Sequence, residues 1–277
     1  MDSGNIGFVL LCAAFVFVMT PGLAMFYGGL VRKKNVVNTM MTSIFIIGVG
    51  IVMWVLFGYS LSFAPSGNAF IGDFRWLGLE GVSLTEGYTD DASIPNMVFS
   101  AFQMMFAVIT PALITGAVAG RMKFKSIFVF TIFWSLIVYY PLAHMVWGQG
   151  GLLGADGIGA LDFAGGDVVH ISSGVSALVL CILLGKRHDY EHSIYRIHNI
   201  PTVVLGASLL MFGWFGFNAG SALAADGLAA HAFMTTGVSA AAAMLSWMLC
   251  DVIKNKKPTL IGASTGMVAG LVGITPG

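Results

Sequence analysis

His170 is the side chain best placed to do chemistry. It lies in Asp167-Val168-Val169-His170-Ile171-Ser172-Ser173-Gly174-Val175-Ser176-Ala177-Leu178-Val179-Leu180, a stretch otherwise apolar enough to cross a bilayer. An ionisable group at membrane depth is costly, so its default role is functional: a proton relay, a ligand or part of a solute path. Imidazole also changes charge near neutral pH more readily than other side chains. A small set of aromatic and hydroxyl residues complements it: Trp147, Ser221, Phe102, Phe106 and Phe217. An indole face attracts a cation, worth about 0.5–2 kcal/mol as water is removed. A serine hydroxyl can accept an N–H, and stacked phenyl rings would exclude hydrated ions. Each residue also has an ordinary reading. Trp147 suits an interfacial belt, the phenylalanines are three of 21 and suit packing, and Ser221 suits a bond to the carbonyl one turn earlier.

The elements that must position these groups are membrane helices. The chain has 277 residues, 57% hydrophobic and only 9% charged, against roughly 25% charged in soluble proteins. Formal net charge is zero, so nothing points to nucleic acid. With about 20 apolar residues needed per span, the pattern predicts eight: Ile6–Leu30, Val36–Ala64, Asn96–Gly120, Ser126–Trp147, Asp167–Gly185, Ile200–Ala225, Leu228–Ile253 and Pro258–Pro276. The fold class is therefore an all-α integral membrane protein, with residues 1–277 forming a single transmembrane domain.

The loops set the orientation. Arg32, Lys33, Lys34, Arg121, Lys123, Lys125, Lys186, Arg187, Arg196, Lys254, Lys256 and Lys257 all follow odd-numbered spans, and of the 13 Lys and Arg only Arg75 does not. The positive-inside rule makes those loops cytoplasmic and the N-terminus external. The opposite loops are acidic, with Asp73, Glu80, Glu86, Asp90, Asp91, Asp156, Asp162, Asp167 and Asp226. Translocated loops ordinarily lack Lys and Arg, although negative potential also gathers cations at a mouth.

Topology turns residue number into depth, at about 1.5 Å per helical residue. Ser221 falls ~6 Å below the outer surface and Phe217 ~12 Å, with Phe102 and Phe106 at ~9 and ~15 Å. From mouth to interior the order is Trp147 with Ser221, then Phe102, Phe106 and Phe217, then His170. That order suits a small cation that sheds its charge. Ammonium fits, because its conjugate base is small, neutral and soluble in apolar surroundings.

The remaining polar groups are less informative. His144 and His231 are expected near outer helix ends within reach of water, in structural roles. His188, His192 and His198 are irregularly spaced in a cytoplasmic loop with no cysteine nearby. Cys12, Cys181 and Cys250 sit singly in apolar runs and read as buried structural thiols. No cofactor is expected, and no nucleophile–base pair suggests an enzyme, although a haem protein using His144 and His170 is a distant third possibility. Asp162, just before span five, suits an architectural role at a helix start that shapes the vestibule more than direct cation binding. Asp167 is an equally suitable cap. Pro21 and Pro111 suggest kinks, and many of the 36 glycines suit close helix packing.

Several longer motifs carry a resemblance. Ala143-His144-Met145-Val146-Trp147-Gly148, Gly159-Ala160-Leu161-Asp162-Phe163-Ala164-Gly165-Gly166, Val168-Val169-His170-Ile171 and Gly213-Trp214-Phe215-Gly216-Phe217-Asn218-Ala219-Gly220-Ser221-Ala222 closely resemble the ammonium transporter family (Amt/MEP/Rh) of bacteria and archaea. Thr20-Pro21-Gly22-Leu23-Ala24-Met25-Phe26-Tyr27-Gly28-Gly29-Leu30 and Gly270-Leu271-Val272-Gly273-Ile274-Thr275-Pro276 do so as well. The resemblance implies an outer ammonium site matched by Trp147, Ser221 and Phe106, with Phe102 lining it. It also implies a gate matched by Phe106 and Phe217, a first pore histidine at His170, and an acidic residue beneath the vestibule at Asp162. A homotrimer in the plasma membrane, methylammonium as an analogue, a cytosolic PII-type signalling partner and an inverted-repeat fold of eleven spans are further implications. Against that pattern the chain is expected to be C-terminally incomplete, without the second pore histidine. A sensor coupled to a downstream signalling module is the alternative to a transporter.

Overall fold

A computed structural model describes residues 1–65, 67–154, 157–187, 190 and 195–276. Asp156, His188 and His192 lie outside the described residues. Among the described residues eight long helical segments run in chain order: α1 Ser3–Leu30, α2 Lys33–Phe63, α3 Asn96–Val118, α4 Phe124–Trp147, α5 Gly166–Leu184, α6 Ile200–Gly220, α7 Gly227–Asn255 and α8 Leu260–Ile274. The first seven are long and apolar enough to cross a membrane, and α8 is a shorter apolar helix. A helix satisfies every internal backbone polar group, which hydrocarbon requires.

Four helix starts are capped by Asp, Asn or Thr side chains. The Asp2 carboxylate accepts the Asn5 N–H at 2.8 Å, Asn199 accepts from Thr202 at 3.0 Å, Asp226 from Ala229 at 2.9 Å and Thr259 from Gly262 at 2.9 Å. Each side-chain oxygen satisfies one of the N–H groups that a helix start leaves unpaired. Most boundaries shift by one to three residues from the sequence expectation, and the end of α6 shifts by five. α6 ends at Gly220 rather than Ala225, because the chain turns through 3₁₀-type bonds from Ser221, Ala222 and Leu223 to Asn218, Ala219 and Gly220. Leu223 takes a φ of 57° there, which no continuing helix permits. Ser221 therefore sits on the helix end, not four residues inside it. α8 starts two residues later than expected, at Leu260, where Thr259 caps it.

Helices α1 and α3 continue through Pro21 and Pro111. The irregular turns occur elsewhere, as π-helical segments at Trp54–Gly58, Ser135–Tyr139 and Gly166–Ile171. Such wide turns recur at functional sites, and the third contains His170.

The most extensive packing is between α1 and α6. Small residues set how closely they approach. A Cβ on Gly206 would lie 2.3 Å from the Phe26 nitrogen and 2.6 Å from the Gly22 oxygen, so backbone meets backbone at this crossing. This is the small-residue packing that replaces hydrophobic attraction between helices in lipid. α5 and α7 instead leave large apolar side chains uncovered, including Leu178, Ile182, Leu183, Phe233, Val238 and Leu245. In a membrane that surface meets lipid or further protein.

Candidate functional site

Beside the N-terminal end of α3 and the C-terminal end of α6 opens a cavity of about 550 Å³. Phe102 and Phe106 from α3, Trp147 from the end of α4, and Ser221 from the end of α6 line it, together with Tyr88, Asp91 and Gln103. The structure thus brings four of the residues singled out above to one vestibule. Its rim is tied by Ser93 Oγ donating to the Leu223 carbonyl at 3.3 Å and by the Ala225 N–H donating to Asn5 Oδ1 at 2.9 Å.

Rings continue inward from the vestibule. Phe106 meets Trp147 edge-on with centroids 6.1 Å apart, and Phe102 edge-on at 4.8 Å. Beneath them Phe106 and Phe217 approach to 4.3 Å at 42°, and both are essentially inaccessible. The His170 imidazole follows, stacked 5.9 Å from Phe217 and 5.3 Å from Trp214, at 22° and 18°. Its Nε2 is buried with no hydrogen-bond partner. Trp147, Phe106, Phe217 and His170 therefore form one unbroken column from four different helices.

The hydroxyl of Ser221 donates to the Phe217 carbonyl at 2.9 Å. That bond uses its one hydrogen, so its free lone pairs can face the vestibule. The indole N–H of Trp147 donates to the Asp162 carbonyl at 2.9 Å, which fixes the ring beside Phe106.

Asp162 organises the next layer. Its Oδ1 accepts the N–H groups of Gly165 at 2.5 Å and Gly166 at 2.8 Å, and its Oδ2 those of Asp167 at 2.8 Å and Val168 at 3.0 Å. One carboxylate thus takes four N–H groups at the start of α5, where the helix dipole also favours negative charge. Burial pushes this carboxyl above the usual carboxylate range, and the four backbone donors act against that by favouring the ionised form. The cap is Asp162 and not Asp167, whose backbone N–H is itself one of the donors. Gly165, at φ 121°, turns the chain between carboxylate and helix. The wide turn that follows sets His170 in the column.

Other histidines lie elsewhere. His144 is fully buried rather than reachable by water, with Nδ1 3.1 Å from the Ser62 carbonyl and Nε2 2.8 Å from that of Asn68. The ring bridges two carbonyls at the end of α2, so it anchors the following loop. His231 is exposed on α7. All three cysteines are free thiols, but only Cys12 is buried as expected: Cys181 is half-buried and Cys250 exposed, because an apolar run in a membrane helix can face outward as well as into the protein.

Two neighbours of the site escaped the sequence reading. Trp214 stacks on His170, and its indole N–H donates to Thr275 Oγ1 at 2.9 Å. Gln103 lines the vestibule. Both stand three residues before a ring of the column, the spacing that shares a helix face, and that was the available signal.

The Ammonium Transporter Family model matches residues 7–277. The chain belongs to the Ammonium Transporter Family. It is 52% identical over 276 residues to the ammonium transporter of Bacillus subtilis (strain 168), covering 100% of this chain and 67% of that protein. The crystal structure of Saccharomyces cerevisiae Mep2 superposes with a TM-score of 0.91 at 38% identity, covering all of this chain and 61% of Mep2. A solved "Sensor Amt Protein" superposes with a TM-score of 0.87 at 28% identity, covering 99% of this chain and 68% of that one. The chain thus spans about two thirds of the length of these relatives. The family is one of transporters rather than of enzymes, and the membrane-length helices make this the sequence of a multi-pass membrane protein.

Proposed function

We propose that the intact protein carrying this chain takes up ammonium, by recruiting the cation in the vestibule and passing ammonia through the aromatic column. The carrying observation is the continuity of that column: Trp147 at the cavity, Phe106 against Phe217 at 4.3 Å, and His170 stacked directly beneath. In the vestibule the Trp147 and Phe106 faces attract the cation through their quadrupoles, and Ser221 offers lone pairs to one of its N–H groups. Hydrated ions find no passage between the phenyl rings. Below them a bare charge is prohibitive in apolar surroundings. Ammonium loses one proton there, and the neutral ammonia passes on. That proton goes to His170 Nε2, buried and unpartnered, which relays it onward and returns to neutral imidazole before the next guest. Asp162 does not touch the guest in this scheme: it holds Trp147 and the start of α5 in register.

The same reading takes the Lys/Arg-rich loops as cytoplasmic and the N-terminus as external, in the plasma membrane. It takes the intact protein as a homotrimer with one such column per subunit and a PII-type protein as its cytosolic partner. The sensor alternative draws on the solved sensor protein, at 28% identity. Transport is the better reading, because relatives named as transporters stand at 42–52%.

The test is methylammonium uptake by cells deficient in ammonium transport that express the intact protein. Uptake above the empty vector is expected, and its absence rejects the proposal. His170→Ala is expected to abolish selective uptake at unchanged surface expression, whereas native selectivity in that variant removes His170 from the path.

A further inference from the structure

The vestibule contains a polar group that the scheme above leaves unused. Gln103 is 8% exposed and lines the cavity with Phe102, Phe106, Trp147 and Ser221, yet its Oε1 is buried without a hydrogen-bond partner. A buried carbonyl oxygen without a donor carries a standing free-energy penalty, and native proteins rarely keep one without reason. Among the described residues no donor reaches this oxygen, so it does not tie α3 to another helix. Gln103 stands on the same face of α3 as Phe106, three residues earlier.

We infer that the Gln103 amide carbonyl is a hydrogen-bond acceptor for the cation in the vestibule, and so a binding residue of the recruitment site. This rests on the ammonium reading and deepens it. Ammonium carries four N–H donors and no acceptor. The rings of Trp147 and Phe106 supply diffuse π acceptors, and Ser221 supplies one oxygen whose hydrogen is already committed to Phe217. A second neutral oxygen satisfies a further N–H as the guest loses its water. Neutrality suits a site the guest must leave, because a carboxylate in so dry a place would hold the cation fast.

Uptake kinetics of the intact protein decide the matter, with methylammonium as the probe. Gln103→Leu is expected to raise KM roughly three- to ten-fold, the effect of one lost hydrogen bond, with maximal rate per surface-expressed molecule unchanged. Gln103→Glu is expected to shift KM the other way and to lower the maximal rate, because it holds the cation longer. A purely structural glutamine produces no such opposite shifts. Native KM in both variants overturns the inference, as does a Gln103→Leu variant that loses maximal rate at native KM. If Gln103→Leu does not reach the membrane, Gln103→Glu alone decides: a lowered KM supports the role, and an unchanged or raised one overturns it. Absence of uptake by the unsubstituted protein instead rejects the ammonium reading itself, so the two failures are distinguishable.

Discussion

Two side chains of the site do different work, and substitution separates them. Trp147 faces the vestibule, so Trp147→Leu removes a π face and leaves the column below intact. Its expected effect is a rise in KM of roughly two- to thirty-fold with little change in maximal rate, matching the worth of a cation–π contact. Concentration-dependent methylammonium uptake measures this, and an unchanged KM refutes the recruitment role. Asp162 works through the backbone. Asp162→Ala leaves four N–H groups at the start of α5 without acceptors, and the Trp147 indole loses a firmly held carbonyl. A cost of roughly 2–5 kcal/mol follows from unsatisfied buried donors, visible as a lowered Tm of the detergent-solubilised intact protein. Asp162→Asn keeps one acceptor oxygen and is expected to fall between the two. If Asp162→Ala melts like the unsubstituted protein, the four bonds do not organise this region.

At the scale of helices, the site depends on how closely α1 and α6 approach. α6 carries Trp214, Phe217 and the Ser221 end of the vestibule, so a shift of α6 displaces three layers together. Gly206→Ala places a methyl against the Phe26 backbone, which cannot move aside. Overpacking of this kind costs about 1–3 kcal/mol, and both Tm and uptake are expected to fall. Gly48→Ala is the control: a Cβ there meets nothing within 4 Å, so Tm is expected to hold or rise slightly. Equal effects of the two substitutions would show that the crossing is not the constraint. The helices themselves were legible from apolar length alone. The end of α6 was not, because Ser221-Ala222-Leu223-Ala224-Ala225 is as apolar as a helix, and only its turn geometry stops it. The wide turn holding His170 was equally hidden, since no residue pattern distinguishes it from an ordinary helical turn.

For the whole molecule, charge asymmetry sets the expected orientation. Single cysteines in an otherwise cysteine-free intact protein report it through an impermeant maleimide. Thr89→Cys, in an acidic loop at the vestibule, is expected to label in intact cells. Lys256→Cys, after α7, is expected to label only once the membrane is opened. The reverse pattern inverts the topology and places the vestibule in the cytoplasm, which ends the uptake scheme.

The sequence by itself determined the class of molecule, the helix count, the two-sided distribution of charge and the family, because each depends on composition along the chain or on contiguous motifs. It also brought forward Trp147, Phe102, Phe106, Phe217, Ser221 and His170, since depth follows from position within a span. Only the tertiary structure decided which atoms meet. It set Asp162 rather than Asp167 beneath four N–H groups, buried His144 between two carbonyls, laid Trp214 on His170 and left Gln103 Oε1 buried and unpaired beside the vestibule. The physical reason is that hydrogen bonding and ring stacking act over a few ångströms. Helix rotation and approach set those distances, and contacts between segments far apart in the chain fix them.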